Sequence, residues 1–106
     1  MKRLIAIGGV LVLCGALTAA QAPEPFAPEQ ISKGAAIFAQ HCSACHGARM
    51  ADPQAAFDLR RFPRDQKNRF VTAVTRGKDN MPPWGDLLRP EDIEALWAYV
   101  MAGEPR

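Results

Sequence analysis

The chain has 106 residues, of which 48% are apolar and 23% charged, with nine prolines, eight glycines and a formal charge of +2. That is room for one ordinary folded domain. The length excludes an enzyme with a separate substrate domain, and the charge is too small to argue for nucleic-acid binding.

The first stretch is built for export. Met1-Lys2-Arg3 is basic, Leu4 to Leu17 carries no charge, and Thr18-Ala19-Ala20-Gln21-Ala22 supplies small residues. This three-part layout predicts a cleaved secretory signal peptide over 1–20. Cleavage after Ala22 fits the A-x-A pattern, but it leaves Pro23 at the new N-terminus, so Ala20 is preferred. The alternative is an uncleaved anchor, since Leu4 to Ala20 is at the short end of a membrane span. Leu11-Val12-Leu13-Cys14 is a weak lipoprotein box, because Leu13 is bulky for its position. Loss of 1–20 removes Lys2, Arg3 and Cys14. The remaining chain is formally neutral and keeps two cysteines, Cys42 and Cys45. A domain of that size buries limited apolar surface and gains from a staple or a cofactor.

Residues 21–27 hold two prolines and read as an extended leader, and 28–106 as one domain. Pro28 suits a first helical turn. Ile31, Gly34, Ala35 and Phe38 recur at helical spacing, which predicts a helix over 28–41. Cys42 to Pro63 has no sustained period and reads mostly as loop. Asp65 is the expected N-cap of a second helix over 66–76, with Phe70, Ala73 and Val74 on its apolar side and Gly77 as its stop. Pro82-Pro83 and Gly85 keep the next stretch from being helical throughout. Pro90 opens the last helix, with Glu91 and Asp92 at its N-terminal dipole and Gly103 as its stop. Its apolar face is Ile93, Leu96, Trp97 and Val100. No stretch alternates as a strand does, so the expected fold is all-α: three to four short helices and long loops. Three short helices make a poor core by themselves, so something must fill the middle.

Cys42-Ser43-Ala44-Cys45-His46 carries the chemistry. Cys-x-x-Cys-His is the attachment signature of c-type haem. Two thiols separated by two residues can reach the two vinyl groups on one porphyrin edge and form thioethers. The adjacent histidine is then held where its imidazole can bind iron. A redox dithiol needs a βαβ context that is not visible. A zinc site needs two further ligands, and only His41 is spare. A disulfide leaves His46 unexplained. The expected cofactor is one covalent haem c, and export agrees with it, because such attachment happens outside the bacterial cytoplasm. A second axial ligand must come from the other face of the ring. His41 and Met50 are too close to the tethered edge, and Met101 would have to leave its helix. Met81 lies 35 residues beyond His46, in a non-helical loop stiffened by Pro82-Pro83, and is the expected ligand.

The mature chain resembles the class I monohaem cytochromes c. The resemblance rests on Gly34-x-x-x-Phe38-x-x-x-Cys42-Ser-Ala-Cys45-His46, on Met81-Pro82-Pro83 and on Leu96-Trp97-Ala98-Tyr99-Val100. It implies that the first and last helices cross at Gly34, with Phe38, Leu96 and Tyr99 at the crossing. Arg89 departs from the Ser or Thr expected before the last helix. The stretch Asn80-Met-Pro-Pro-Trp-Gly-Asp86 is similar to small periplasmic cytochromes that accept electrons from pyrroloquinoline-quinone alcohol dehydrogenases.

Two filled axial positions leave one-electron transfer as the chemistry. The function expected is therefore a monomeric periplasmic electron carrier, not an enzyme, between a dehydrogenase donor and an oxidase or cytochrome acceptor. The alternative is a membrane-anchored or tightly bound subunit of an oxidoreductase complex. A haem enzyme or sensor would need an open distal site with a positioned acid or base. Seven cations lie between Arg60 and Lys78, and five acids between Asp86 and Glu104, a polarity that can orient docking. Arg60 is the candidate for neutralising a haem propionate, and the Trp84 N–H could donate to one.

Overall fold

The structure is a computed structural model that describes residues 26–104; the signal peptide and most of the leader predicted from the sequence lie outside the described residues. Four helices follow one another: α1 (Pro28–His41), α2 (Ser43–His46), α3 (Lys67–Arg76) and α4 (Pro90–Ala102). Short 3-10 turns at Ala48–Met50 and Leu59–Arg61 interrupt the long loop. Among the described residues there is no strand, only an isolated bridge between Lys78 and Met81. None of the helices described is long and apolar enough to cross a membrane.

The first and last helices have the ends expected of them. Pro28 and Pro90 sit in first turns, and the N–H of Gly103 closes α4 by donating to the Tyr99 carbonyl at 2.8 Å. The start of α3 is a correction. Gln66, not Asp65, is the N-cap, and no side chain caps it. The Gln66 N–H donates to the Pro63 carbonyl, so Asp65 lies in a turn one residue ahead of the cap.

The principal packing is α1 against α4. At the crossing Gly34 is buried, and a Cβ there would lie 2.0 Å from the Ala95 carbonyl oxygen. That close approach lets the Phe38 and Tyr99 rings pack with centroids 5.3 Å apart. Helix α4 is buried along nearly its whole second half, from Ala95 to Met101. It is apolar all round because α1 lies on one side and α3 on another. Phe62, Phe70 and Trp97 form a second aromatic cluster beneath α3, each ring edge-on or tilted to its neighbours.

Arg89 does lack a capping hydroxyl, and α4 compensates from inside. The Asp92 carboxylate accepts the Arg89 backbone N–H at 2.9 Å and pairs with Lys33 of α1 at 3.0 Å. The Arg89 N–H bond first, and Lys33 second, hold the Asp92 carboxyl below its ordinary value of 3.8. A depressed carboxyl contributes stability above its unfolded value, and that contribution is lost as pH falls through the folded one. Asp92→Asn should therefore lower the urea midpoint at neutral pH, and its deficit against the wild type should close below the ordinary value of 3.8. Midpoints measured across that range check the sign; an equal deficit at all pH values would disprove it.

Candidate functional site

The Cys-x-x-Cys-His motif is a single helical turn. Helix α1 bends at Cys42, whose N–H still donates to the Phe38 carbonyl at 2.8 Å. The Cys42 carbonyl then accepts from Cys45 at 3.2 Å and from His46 at 2.9 Å. The stretch read from the sequence as mostly loop thus begins with α2. Residues three and four apart share a helical face, so the turn groups both thiols with the imidazole. Ser43 ties the turn back to α1 through its hydroxyl, which donates to the Ala39 carbonyl at 2.8 Å. Burial, and then the neighbouring Cys45, push the Cys42 thiol up to about 11. A thioether carries no ionisable proton, so attachment through Cys42 suits an apolar place.

The His46 ring is oriented from a distance. Its Nδ1 lies 3.0 Å from the Phe57 carbonyl oxygen. That acceptor selects the tautomer with the proton on Nδ1 and leaves the Nε2 lone pair free for a metal. Nothing in the sequence marks Phe57 for this, because every residue carries a carbonyl.

Met81 is held by a closed loop. Lys78 and Met81 exchange backbone hydrogen bonds of 3.0 and 2.9 Å across Asp79 and Asn80. The Trp84 and Gly85 N–H groups then donate to the Val74 and Thr75 carbonyls of α3. Gly77 makes the turn possible: its φ is +81°, and a Cβ would lie 2.7 Å from the Met81 carbonyl oxygen.

These pieces meet in one apolar cleft. Cys42, His46 and Met81 line it together with Phe38, Leu96 and Val100 from the α1–α4 crossing. Phe70, Ala73 and Val74 of α3 form another part of its wall. Phe57 is half exposed at its rim. The donor set fits a haem: a thiol pair on one turn, an imidazole with Nε2 free, a thioether on a separate loop, and aliphatic and aromatic walls for the ring faces. Met50 and Met101 are buried elsewhere in the core and do not line this cleft.

The cations named from the sequence are distributed differently. Arg60 stands outside the cleft lining, with its guanidinium on Asp58 at 3.3 Å. Trp84 is also outside it and packs on the His41 ring at 5.0 Å. Arg64 donates to the Met101 carbonyl at 3.0 Å, and Lys67 pairs with Glu94 at 2.6 Å. Arg69 and Lys78 do line the cleft, which their place in a charged run did not foretell.

Residues 29–100 match the family described as "Cytochrome C oxidase, cbb3-type, subunit III". The chain belongs to this family of monohaem cytochromes c. It is 38% identical over 74 residues to cytochrome c6 of Microcystis aeruginosa, covering 65% of this chain and 91% of that protein. It is 30% identical over 106 residues to cytochrome c6 of Nostoc sp., covering 95% and 93%. It is also 34% identical over 87 residues to quinohemoprotein alcohol dehydrogenase ADH IIB of Pseudomonas putida. That match covers 77% of this chain but only 13% of the dehydrogenase. Family membership together with Cys42 and Cys45 implies one covalent haem c. This cytochrome is a small electron carrier, not an enzyme, and works with redox protein partners.

Proposed function

We propose that this cytochrome is exported to the periplasm, takes electrons from a quinoprotein alcohol dehydrogenase and passes them to the respiratory chain. The observation that supports the carrier chemistry is that Cys42, His46 and Met81 line one apolar cleft. Bound haem supplies exchange of a single electron between ferric and ferrous iron. Cys42 and Cys45 would hold the ring through thioethers. His46, fixed by the Phe57 carbonyl, would supply a nitrogen to the iron, and Met81 a sulfur. With His46 and Met81 both holding the iron, the chain would leave a substrate no place on it. Phe38, Phe70, Leu96 and Val100, which line the cleft, would keep water from the bound haem.

The choice of donor is supported by the likeness to ADH IIB, a dehydrogenase whose name joins a quinone, a haem and alcohol oxidation. Only a small part of that protein is similar to this chain, so a separate carrier can do what that part does within one polypeptide. Oxidation of a primary alcohol to an aldehyde releases two electrons and two protons, so two cytochromes are reduced per alcohol. The test is stopped-flow reduction of the purified ferric holoprotein by a quinoprotein alcohol dehydrogenase of the same organism plus ethanol. Rapid reduction at two cytochromes per aldehyde supports the proposal. No reduction above the rate with ethanol alone removes the donor assignment and leaves the carrier reading intact.

A second reading follows from the family's description as an oxidase subunit. Gel filtration of native extract separates the two: elution at the size of the single chain means a free carrier, and co-elution with an oxidoreductase means a subunit.

A further inference from the structure

We propose that Arg69 and Lys78 hold the propionate carboxylates of the haem, at the edge of the cleft where α3 meets the Met81 loop. The proposal rests on the covalent haem and does not depend on the donor.

The charge pattern of the lining is the first argument. Apart from His46, every residue that lines the cleft is apolar or a sulfur residue except Arg69 and Lys78, and no carboxylate lines it. A porphyrin with two propionates brings two negative charges into such a site. Unpaired, they would be costly beside apolar walls. Porphyrin chemistry gives the direction. The vinyl groups and the propionates lie at opposite edges of the ring. The vinyl edge belongs at Cys42 and Cys45, on the turn after α1, so the propionate edge points away from that turn. The cations stand on different elements, α3 and the loop that follows it.

The local geometry is the second argument. Arg69 and Ala73 are four residues apart, and so lie on one face of α3. The Ala73 side chain is small and leaves room at the wall. Arg69, Ala73 and Lys78 also border a second, open cavity of about 480 Å³ along the outside of α3, with Asn68, Thr72 and Gly77. The three shared residues therefore mark where the cleft gives way to solvent-accessible space. A carboxylate emerging there stays partly hydrated while it meets a guanidinium and an ammonium, an arrangement of charge-assisted hydrogen bonds.

Availability is the third argument. Among the described residues, Arg60 is paired with Asp58, Lys67 with Glu94 and Lys33 with Asp92. Neither Arg69 nor Lys78 is in an ion pair among the described residues. The Arg69 guanidinium instead lies over the Phe62 ring, 4.9 Å from its centroid, and donates to Gln66. Both contacts fix its head near the rim and leave other N–H donors for a carboxylate.

The test compares holoproteins carrying Arg69→Gln, Lys78→Gln, Arg69→Lys and Arg60→Gln by redox titration across pH. Intact mass and haem absorbance first confirm one attached haem in each, which separates loss of the cofactor from loss of the contact. A cation beside a propionate favours ferrous iron and the ionised carboxylate. Arg69→Gln and Lys78→Gln should each lower the midpoint potential. Each should also raise, by about one unit, the pH at which the potential bends with propionate ionisation. Arg69→Lys should restore both features toward the wild type, and Arg60→Gln should leave both unchanged. Wild-type potentials and pH profiles in Arg69→Gln and Lys78→Gln overturn the proposal, as does a shift confined to Arg60→Gln.

Discussion

Met81→Ala lowers the reduction potential of the holoprotein by on the order of 0.1 V or more, a fraction of the ~0.8 V span that axial ligation covers. It also removes the weak sulfur-to-iron charge-transfer band of the ferric form. A thioether is a soft donor that favours ferrous iron, and an alanine leaves that position to water. The change should be confined to the ligand, because the loop does not depend on the Met81 side chain. Its backbone bonds to Lys78, and those of Trp84 and Gly85 to α3, involve main-chain atoms alone. The alternatives are buried away from the cleft: Met50 is 1% exposed and Met101 8%. Potentiometric titration and ferric absorption spectra of Met81→Ala, Met50→Ala and Met101→Ala decide the matter. Persistence of the band in Met81→Ala, with its loss in either of the other two, would refute ligation by Met81.

Gly34→Ala should destabilise the fold by about 1–2 kcal/mol, although alanine is the better helix former. The propensity term favours alanine by about 1 kcal/mol. Against it stands a Cβ placed 2.0 Å from the Ala95 carbonyl oxygen, 2.6 Å from its carbon and 2.8 Å from the Tyr99 Cβ. Two of those atoms are backbone of α4, which cannot turn aside as the end of a flexible side chain can. The helices must separate, and overpacking of this kind costs about 1–3 kcal/mol and occasionally more. The Phe38–Tyr99 contact lies on the same seam, and Phe38 and Leu96 line the cleft. Separation should therefore also perturb the haem absorbance. Denaturant midpoints at unchanged slope measure the loss. A midpoint equal to or above the wild type would show that the crossing has slack the contacts do not reveal.

The legible parts of this protein are those whose physics is local. Cys42, Cys45 and His46 fit within one helical turn, so their grouping needs no information from the rest of the chain. Pro28, Pro90, Gly77 and Gly103 act on their own backbone, and each stands at the helix end expected of it. The misplaced cap of α3 shows where such reasoning stops. Asp65 has the right chemistry, but the turn closed from Gln66 to Pro63 takes it out of register. Met81 could be named from the sequence as the expected second ligand because the prolines after it keep that stretch from being helical, and the structure brings it to the cleft that Cys42 and His46 line.

The electrostatics of the site belong to the tertiary structure. Seven cations from Arg60 to Lys78 are equivalent in a composition. Packing of α3 on α4 sends Lys67 to Glu94 and Arg64 to the end of α4, and brings Arg69 and Lys78 to the cleft. The acceptor for His46 was equally hidden, since Phe57 serves through a carbonyl that any residue would offer. Covalent reach and helix ends depend on neighbours along the chain, and the sequence alone determined them. The partners of long, flexible charged side chains depend on which elements lie across from them, and only the folded packing decides that.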